Sequence, residues 1–330
     1  VALATQQDRE TWLLAALRTF DMDIGDVREE LVGAFGDPLF VVVTGSILAG
    51  FGNDESDIDV YLVVEDETVM AVPLPSYRNG ARIDSRFFSA YQIRRFEELL
   101  AVTSGVPGTS EEEHLAVVSS LETLARLAVG LPILKSERWE AWSASPEISQ
   151  LPGNAQNFWE SELWRRRFAL DLLMIDGGSY LLALRAQDLA HAALELVATA
   201  GDHLFFGRKW LPLKLRQMGR EDLRSRFFDV LLASRAEEAI AIATEIADLA
   251  LELTGRGSNW AFSLVPASGV LDHSFAGRHF FTRWGLRGTE SAVGAVDLAD
   301  ASFADPVDVP HALRYLHNED FLWLSTQRQP

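Results

Sequence analysis

Apolar residues recur at helical spacing over 10–20 (ETWLLAALRTF) and 26–35 (DVREELVGAF), which predicts two amphipathic helices. The run Leu39-Phe40-Val41-Val42-Val43 is short and rich in β-branched residues, the pattern of a buried strand, and it stops at Thr44-Gly45-Ser46. Gly50 to Ser56 has turn chemistry. After it DIDVYLVV (57–64) alternates as a second strand and RIDSRF (82–87) as a third. From about residue 110 the period becomes helical. Ser110 and Glu113 have capping-box spacing at the head of SEEEHLAVVSSLETLARLAVG, which Gly130 and Pro132 end. The segments 155–175, 179–200 and 233–254 are helical in period too, with Gly177-Gly178, Gly201 and Gly255 at their ends. No single period covers 256–330. The predicted organisation is an α/β (α+β) domain with a small mixed sheet over 1–145, then a helical domain over 146–330. That second domain divides into a bundle over 155–255 and an irregular C-terminal extension over 256–330 that wraps it.

Composition narrows the chemistry. Hydrophobic residues make up 48% and charged residues 23% of the 330, which is the balance of a folded chain. Cysteine is absent, so disulfides, thiolate metal sites and cysteine nucleophiles are excluded. A net charge of −19 argues against a protein that coats nucleic acid by neutralising phosphates. Only Lys135, Lys209 and Lys214 carry ammonium side chains. No run reaches the roughly 18–20 apolar residues of a membrane span, and VALATQQDRETW lacks the basic-then-apolar order of a secretory signal. The expectation is a soluble cytoplasmic protein with no membrane partner. Nothing in the pattern bears on oligomeric state.

The residues that carry chemistry are Gly45-Ser46 and, after ten intervening residues, Asp57-Ile58-Asp59 at the head of an apolar strand. Strand alternation puts Asp57 and Asp59 on one face, with Cα atoms roughly 6.5–7 Å apart. Carboxylates at that separation can bracket hard cations such as Mg²⁺, and Asp84 on the later strand can add a third. Three converging carboxylates repel one another without metal or protons, so the arrangement is costly as pure structure. A strand ending in Gly-Ser can turn backbone N–H groups and a hydroxyl toward phosphate oxygens. A lone Asp-x-Asp is common turn chemistry; its place behind Gly-Ser, with a later Asp, argues instead for metal-assisted phosphoryl or nucleotidyl transfer. A Walker A loop is excluded because no lysine precedes residue 135. A short-chain dehydrogenase is excluded because no lysine has a tyrosine four residues before it.

TGSILAGFGNDESDIDVYLVVED (44–66) resembles the signature of the polymerase-β-like nucleotidyltransferase superfamily: Gly-Ser, a spacer, then Asp-x-Asp in a strand. The wider layout, a sheet domain followed by helices, is similar to that of antibiotic (aminoglycoside and lincosamide) nucleotidyltransferases. The resemblance implies that Asp57 and Asp59 hold two Mg²⁺ ions and that Gly45 and Ser46 hold the nucleoside triphosphate. Ser56, closing the loop, joins them as a nucleotide-contact candidate, and Asp84 completes the acidic triad as base or metal ligand. Family members also bring a cation over the triphosphate. Lys209 and Lys214, close together at a predicted helix start, are the candidates, Lys209 first.

The implied activity is transfer of a nucleoside monophosphate, AMP from ATP, to a hydroxyl of a small molecule with release of pyrophosphate. The acidic composition suits a cationic acceptor, as in antibiotic modification. Three alternatives stay open: an enzyme acting on a protein or RNA end, a biosynthetic enzyme activating a carboxylate or peptide, and a non-catalytic nucleotide-binding module. Elsewhere Trp164-Arg165-Arg166-Arg167 reads as a solvated basic face, and Trp210, Trp260, Trp284 and Trp323 read as core.

Overall fold

The apolar runs become helices α1 (Gln6–Arg18) and α2 (Ile24–Phe35), then strands β1 (Phe40–Thr44), β2 (Ile58–Val64), β3 (Pro73–Arg78) and β4 (Ala81–Ser89). Next come α3 (Ala90–Thr103), α4 (Glu111–Val129), β5 (Leu131–Leu134), α5 (Glu137–Ser143), α6 (Pro146–Ile175) and α7 (Leu182–Ala200). A 3₁₀ turn, Arg208–Trp210, leads into α8 (Leu211–Gln217), α9 (Glu221–Leu232) and α10 (Ala236–Thr254). The remainder holds β6 (Trp260–Pro266), β7 (Leu271–Ser274), β8 (Arg278–Thr282), β9 (Gly285–Gly288), β10 (Ser302–Phe303), α11 (His311–Asn318) and β11 (Leu322–Arg328). This computed structural model describes residues 5–35, 38–53, 56–66, 73–108, 110–176, 181–257, 259–267, 271–274, 278–282, 285–288, 302–318 and 322–328. Gly177, Gly178, Trp284 and positions 54–55 of the turn loop lie outside them.

The chain falls into two interleaved units. One comprises residues 1–102, 119–154 and 202–213, and the other comprises 103–118, 155–201 and 214–330. This division does not coincide with the single boundary expected at 145. The change of period at residue 110 marks the head of a helix, and helical period alone says nothing of which core a helix serves.

In the first unit a mixed five-stranded sheet has the order β3-β4-β2-β1-β5, with β2 and β4 parallel and the other pairs antiparallel. Val41, Val43, Ile58, Val60, Leu62, Ile83 and Phe87 share a core with Leu13, Leu17, Val27 and Leu31 of α1 and α2. The alternate residues therefore occupy the opposite face, where Phe40 packs on Trp139 and Trp142. The two edge strands escaped the sequence pattern because both contain proline (PLPSYR and LPIL). Proline cannot donate to a ladder and is tolerated at an edge.

In the second unit α7 packs along α10, with α9 against both. Alanines at 186, 190, 192, 193, 239, 243, 247 and 250 are buried along α7 and α10, and their small side chains permit close approach. The segment expected to be irregular is ordered in part. β6 lies between β10 and β11 in a three-stranded sheet, β7-β8-β9 form another, and Phe262 stacks on Phe168 of α6 at 4.0 Å. The Arg165–Arg167 run is not a solvated face either. Arg165 and Arg166 both pair with Glu162, itself 1% exposed, and Arg167 pairs with Asp248. Ser110 and Glu113 do exchange the capping-box hydrogen bonds at the head of α4.

Glu162 also faces His114, 3.6 Å away. Burial pushes the His114 imidazole down to about 4, and Arg165, His114 and Arg166 hold Glu162 below the usual carboxylate range despite its burial. Both act in one direction. The folded histidine stays neutral while the unfolded one takes a proton, so stability is lost as pH falls from 6.5 toward 4; the Glu162 contribution is lost below 4.5. Denaturant titrations should show His114 alone removing about 3 kcal/mol between pH 7.5 and 4. His114→Gln should flatten that slope.

Candidate active site

Strand pairing assembles the acidic residues. Antiparallel pairing of β1 with β2 sets Thr44 opposite Asp59, and parallel pairing of β2 with β4 sets Asp59 opposite Asp84. Ile58, Val60 and Ile83 point into the core shared with α1 and α2, so Asp59 and Asp84 share the other face of adjacent strands. Asp57 lies one residue before β2, with the parity of Asp59.

The turn after β1 is built around the Asp59 side chain. Gly45 has φ +87°, and a Cβ there would fall on the Asp59 carboxylate, so both backbone conformation and space demand glycine. Beyond it the chain makes one helical turn: the Ala49 N–H donates to the Gly45 carbonyl at 3.2 Å, and the Phe51 N–H donates to that of Ser46 at 2.9 Å. Buried Ile47 and Leu48 anchor this turn in the core and leave Ser46 half-buried. The Ser56 hydroxyl is engaged within its own loop, accepting from the Asn53 N–H at 2.9 Å and donating to Asn53 Oδ1 at 3.0 Å. It therefore clasps its own loop.

Cations surround the carboxylates. Arg82 Nε donates to Asp84 Oδ1 at 2.9 Å, and its Nη1 lies 3.6 Å from Asp57 Oδ2. Arg126 Nη1 lies 4.0 Å from Asp59 Oδ2. Burial raises the Asp59 pKa; Arg126 and Arg86 oppose that shift, while Asp84 and Asp57 add to it. The three carboxylates thus sense one another, and their oxygen donors suit Mg²⁺. Among the described residues, however, no three such side chains are gathered into a metal-binding group.

Of the two lysine candidates, Lys209 belongs to this unit. Exposed Lys209 sits over the Trp210 ring at 4.5 Å, and Trp210 stacks on Phe51 at 5.6 Å. Phe205 adjoins both rings and carries the Arg126 guanidinium 5.1 Å above it. One aromatic cluster therefore ties the Lys209 segment to the Ser46 turn and to Arg126. Trp210 is accordingly a half-buried linker instead of core, whereas Trp260 is buried in the second unit. Lys214 belongs to the second unit, where it is fully buried in an ion pair with Glu195. The sequence offers it as a nucleotide contact; the structure gives it a buried carboxylate partner.

Arg126 and Phe51 were invisible as site residues in the sequence. One arginine in an amphipathic helix and one phenylalanine in a glycine loop have no periodic or spacing signature. Arg82 and Arg86 share the parity of Asp84 on β4, which alternation alone makes legible.

No protein-family model matches this chain, and no curated protein sequence does. Among solved structures it is similar to a nucleotidyltransferase-like protein from Exiguobacterium sibiricum 255-15. The two share 14% identity and a TM-score of 0.38, over 74% of this chain and 77% of that one. Among the described residues, no helix is long and apolar enough to cross a membrane.

Proposed function

We propose that this protein is a nucleotidyltransferase that moves a nucleoside monophosphate from a triphosphate, ATP first among the donors, onto a hydroxyl of a small cationic molecule. The observation that carries this reading is the register of Asp59 and Asp84 on adjacent parallel strands, with Asp57 beside them and the Gly45-Ser46 turn against Asp59. Asp57 and Asp59 would hold Mg²⁺, with Asp84 as a further ligand or as base; the metal would neutralise charge on the triphosphate. The Gly45-Ser46 turn offers N–H groups and a hydroxyl to phosphate oxygens. Lys209, presented on Trp210, supplies a cation for the charge that grows on the leaving pyrophosphate. The acceptor hydroxyl attacks the α-phosphorus, its proton passes to Asp84, and the bond to pyrophosphate breaks.

The test is thermal stabilisation by each of the four NTPs with Mg²⁺, followed by pyrophosphate release with hydroxylated cationic acceptors. One NTP should raise the melting temperature, a shift worth about 2.7 kcal/mol at a hundredfold excess over Kd. Asp84→Asn should keep that shift and lower transfer by about 10²–10⁴, the contribution of a positioned base. Absence of stabilisation by every NTP overturns the proposal.

A further inference from the structure

Arg82 has no part in the chemistry above, yet its guanidinium lies against two of the three carboxylates. One guanidinium spans two carboxylates, 2.9 Å from Asp84 Oδ1 and 3.6 Å from Asp57 Oδ2. Arg126, which faces Asp59, is held in place from two sides. Its carbonyl accepts the Thr44 hydroxyl at 2.8 Å, and its guanidinium rests on Phe205. Arg82 is different: its side chain is 45% exposed, and its ion pairs are with Asp57 and Asp84. It can therefore leave the carboxylates without disturbing the core.

We infer that Arg82 is a built-in counter-ion of the acidic site: it neutralises Asp57 and Asp84 while no metal is bound, and a divalent cation enters by displacing it. The inference rests on the nucleotidyltransferase reading in taking these carboxylates as metal ligands. It goes further in assigning a role to Arg82, whose guanidinium contacts two of those carboxylates. The two states are exclusive, because the guanidinium and the metal compete for the same oxygens. Displacing an exposed arginine costs little, because solvent screens its ion pairs, so competition weakens metal binding by a factor of up to about five.

Binding of Mn²⁺ alone, followed by loss of the free-ion electron paramagnetic resonance signal, tests this on the wild type, Arg82→Gln and Arg82→Lys. Arg82→Gln should bind Mn²⁺ about three- to fivefold more tightly than wild type. Its metal-free form should melt lower, because the carboxylates then lack their counter-ion. Arg82→Lys, a single point charge unable to span both carboxylates, should fall between the two. Equal or weaker Mn²⁺ binding by Arg82→Gln overturns the counter-ion role and leaves the nucleotidyltransferase reading standing. No Mn²⁺ binding by any of the three proteins overturns that reading, and the counter-ion role with it.

Discussion

Asp59→Asn should abolish the Mg²⁺-dependent stabilisation by nucleoside triphosphate and lower transfer by about 10³-fold, while the metal-free protein becomes no less stable. The loss follows from the proposed function and from position: Asp59 lies between the Gly45 turn and Asp84, where the proposed metal would join phosphate to the carboxylates. Metal contributions of several kcal/mol convert to about three decades of rate. The stability sign follows from the carboxyl itself. Burial and the charges of Asp84 and Asp57 raise its pKa, so the ionised form is disfavoured in the folded protein and a neutral amide of the same shape relieves that penalty. Catalytic loss combined with unchanged or higher melting temperature is the signature of a residue kept for function. A strongly destabilised Asp59→Asn would make the residue structural and sink its assignment.

Lys214→Met should cost about 3–5 kcal/mol of stability, the usual penalty for leaving half of a buried ion pair. Lys214 and Glu195 are both fully buried, and the lysine, with His191 beside it, holds the Glu195 carboxyl below its ordinary pKa against the effect of burial. Without the ammonium, the remaining neighbour is His191, whose Nε2 stands 3.5 Å from Glu195 Oε1. The double variant Lys214→Met, Glu195→Leu should recover most of the loss, because two apolar side chains leave no stranded charge. Denaturant unfolding of both variants measures this. A Lys214→Met protein of wild-type stability that had lost affinity for nucleotide would restore the lysine to the nucleotide site.

The Asp57–Asp59 pair was legible in the sequence because it obeys local rules; Asp84 joins it only through the pairing of β2 with β4. Alternation along a strand assigns Asp57 and Asp59 to one face whatever the strand pairs with, and the turn residues before them need only near neighbours for their meaning. Main helices and central strands were legible for the same reason, since burial of one face imposes a period that survives in a single sequence. Edge strands β3 and β5 were not, because each is buried too little to need a pattern and each carries proline. The division of the chain into units was not either, because a helix with an apolar stripe does not name the core it will join.

The fate of the cations was decided by tertiary structure alone. Lys209 and Lys214 lie five residues apart and look alike in the sequence, yet one lies exposed over Trp210 and the other is sealed against Glu195. Arg126 reaches Asp59, and Arg82 reaches Asp57, through strand pairing and helix placement that no spacing encodes. A charge takes its function from the dielectric and the partners around it, and both are properties of the folded chain. Local sequence could therefore say which residues carry acid; only the fold determines which base each of them meets.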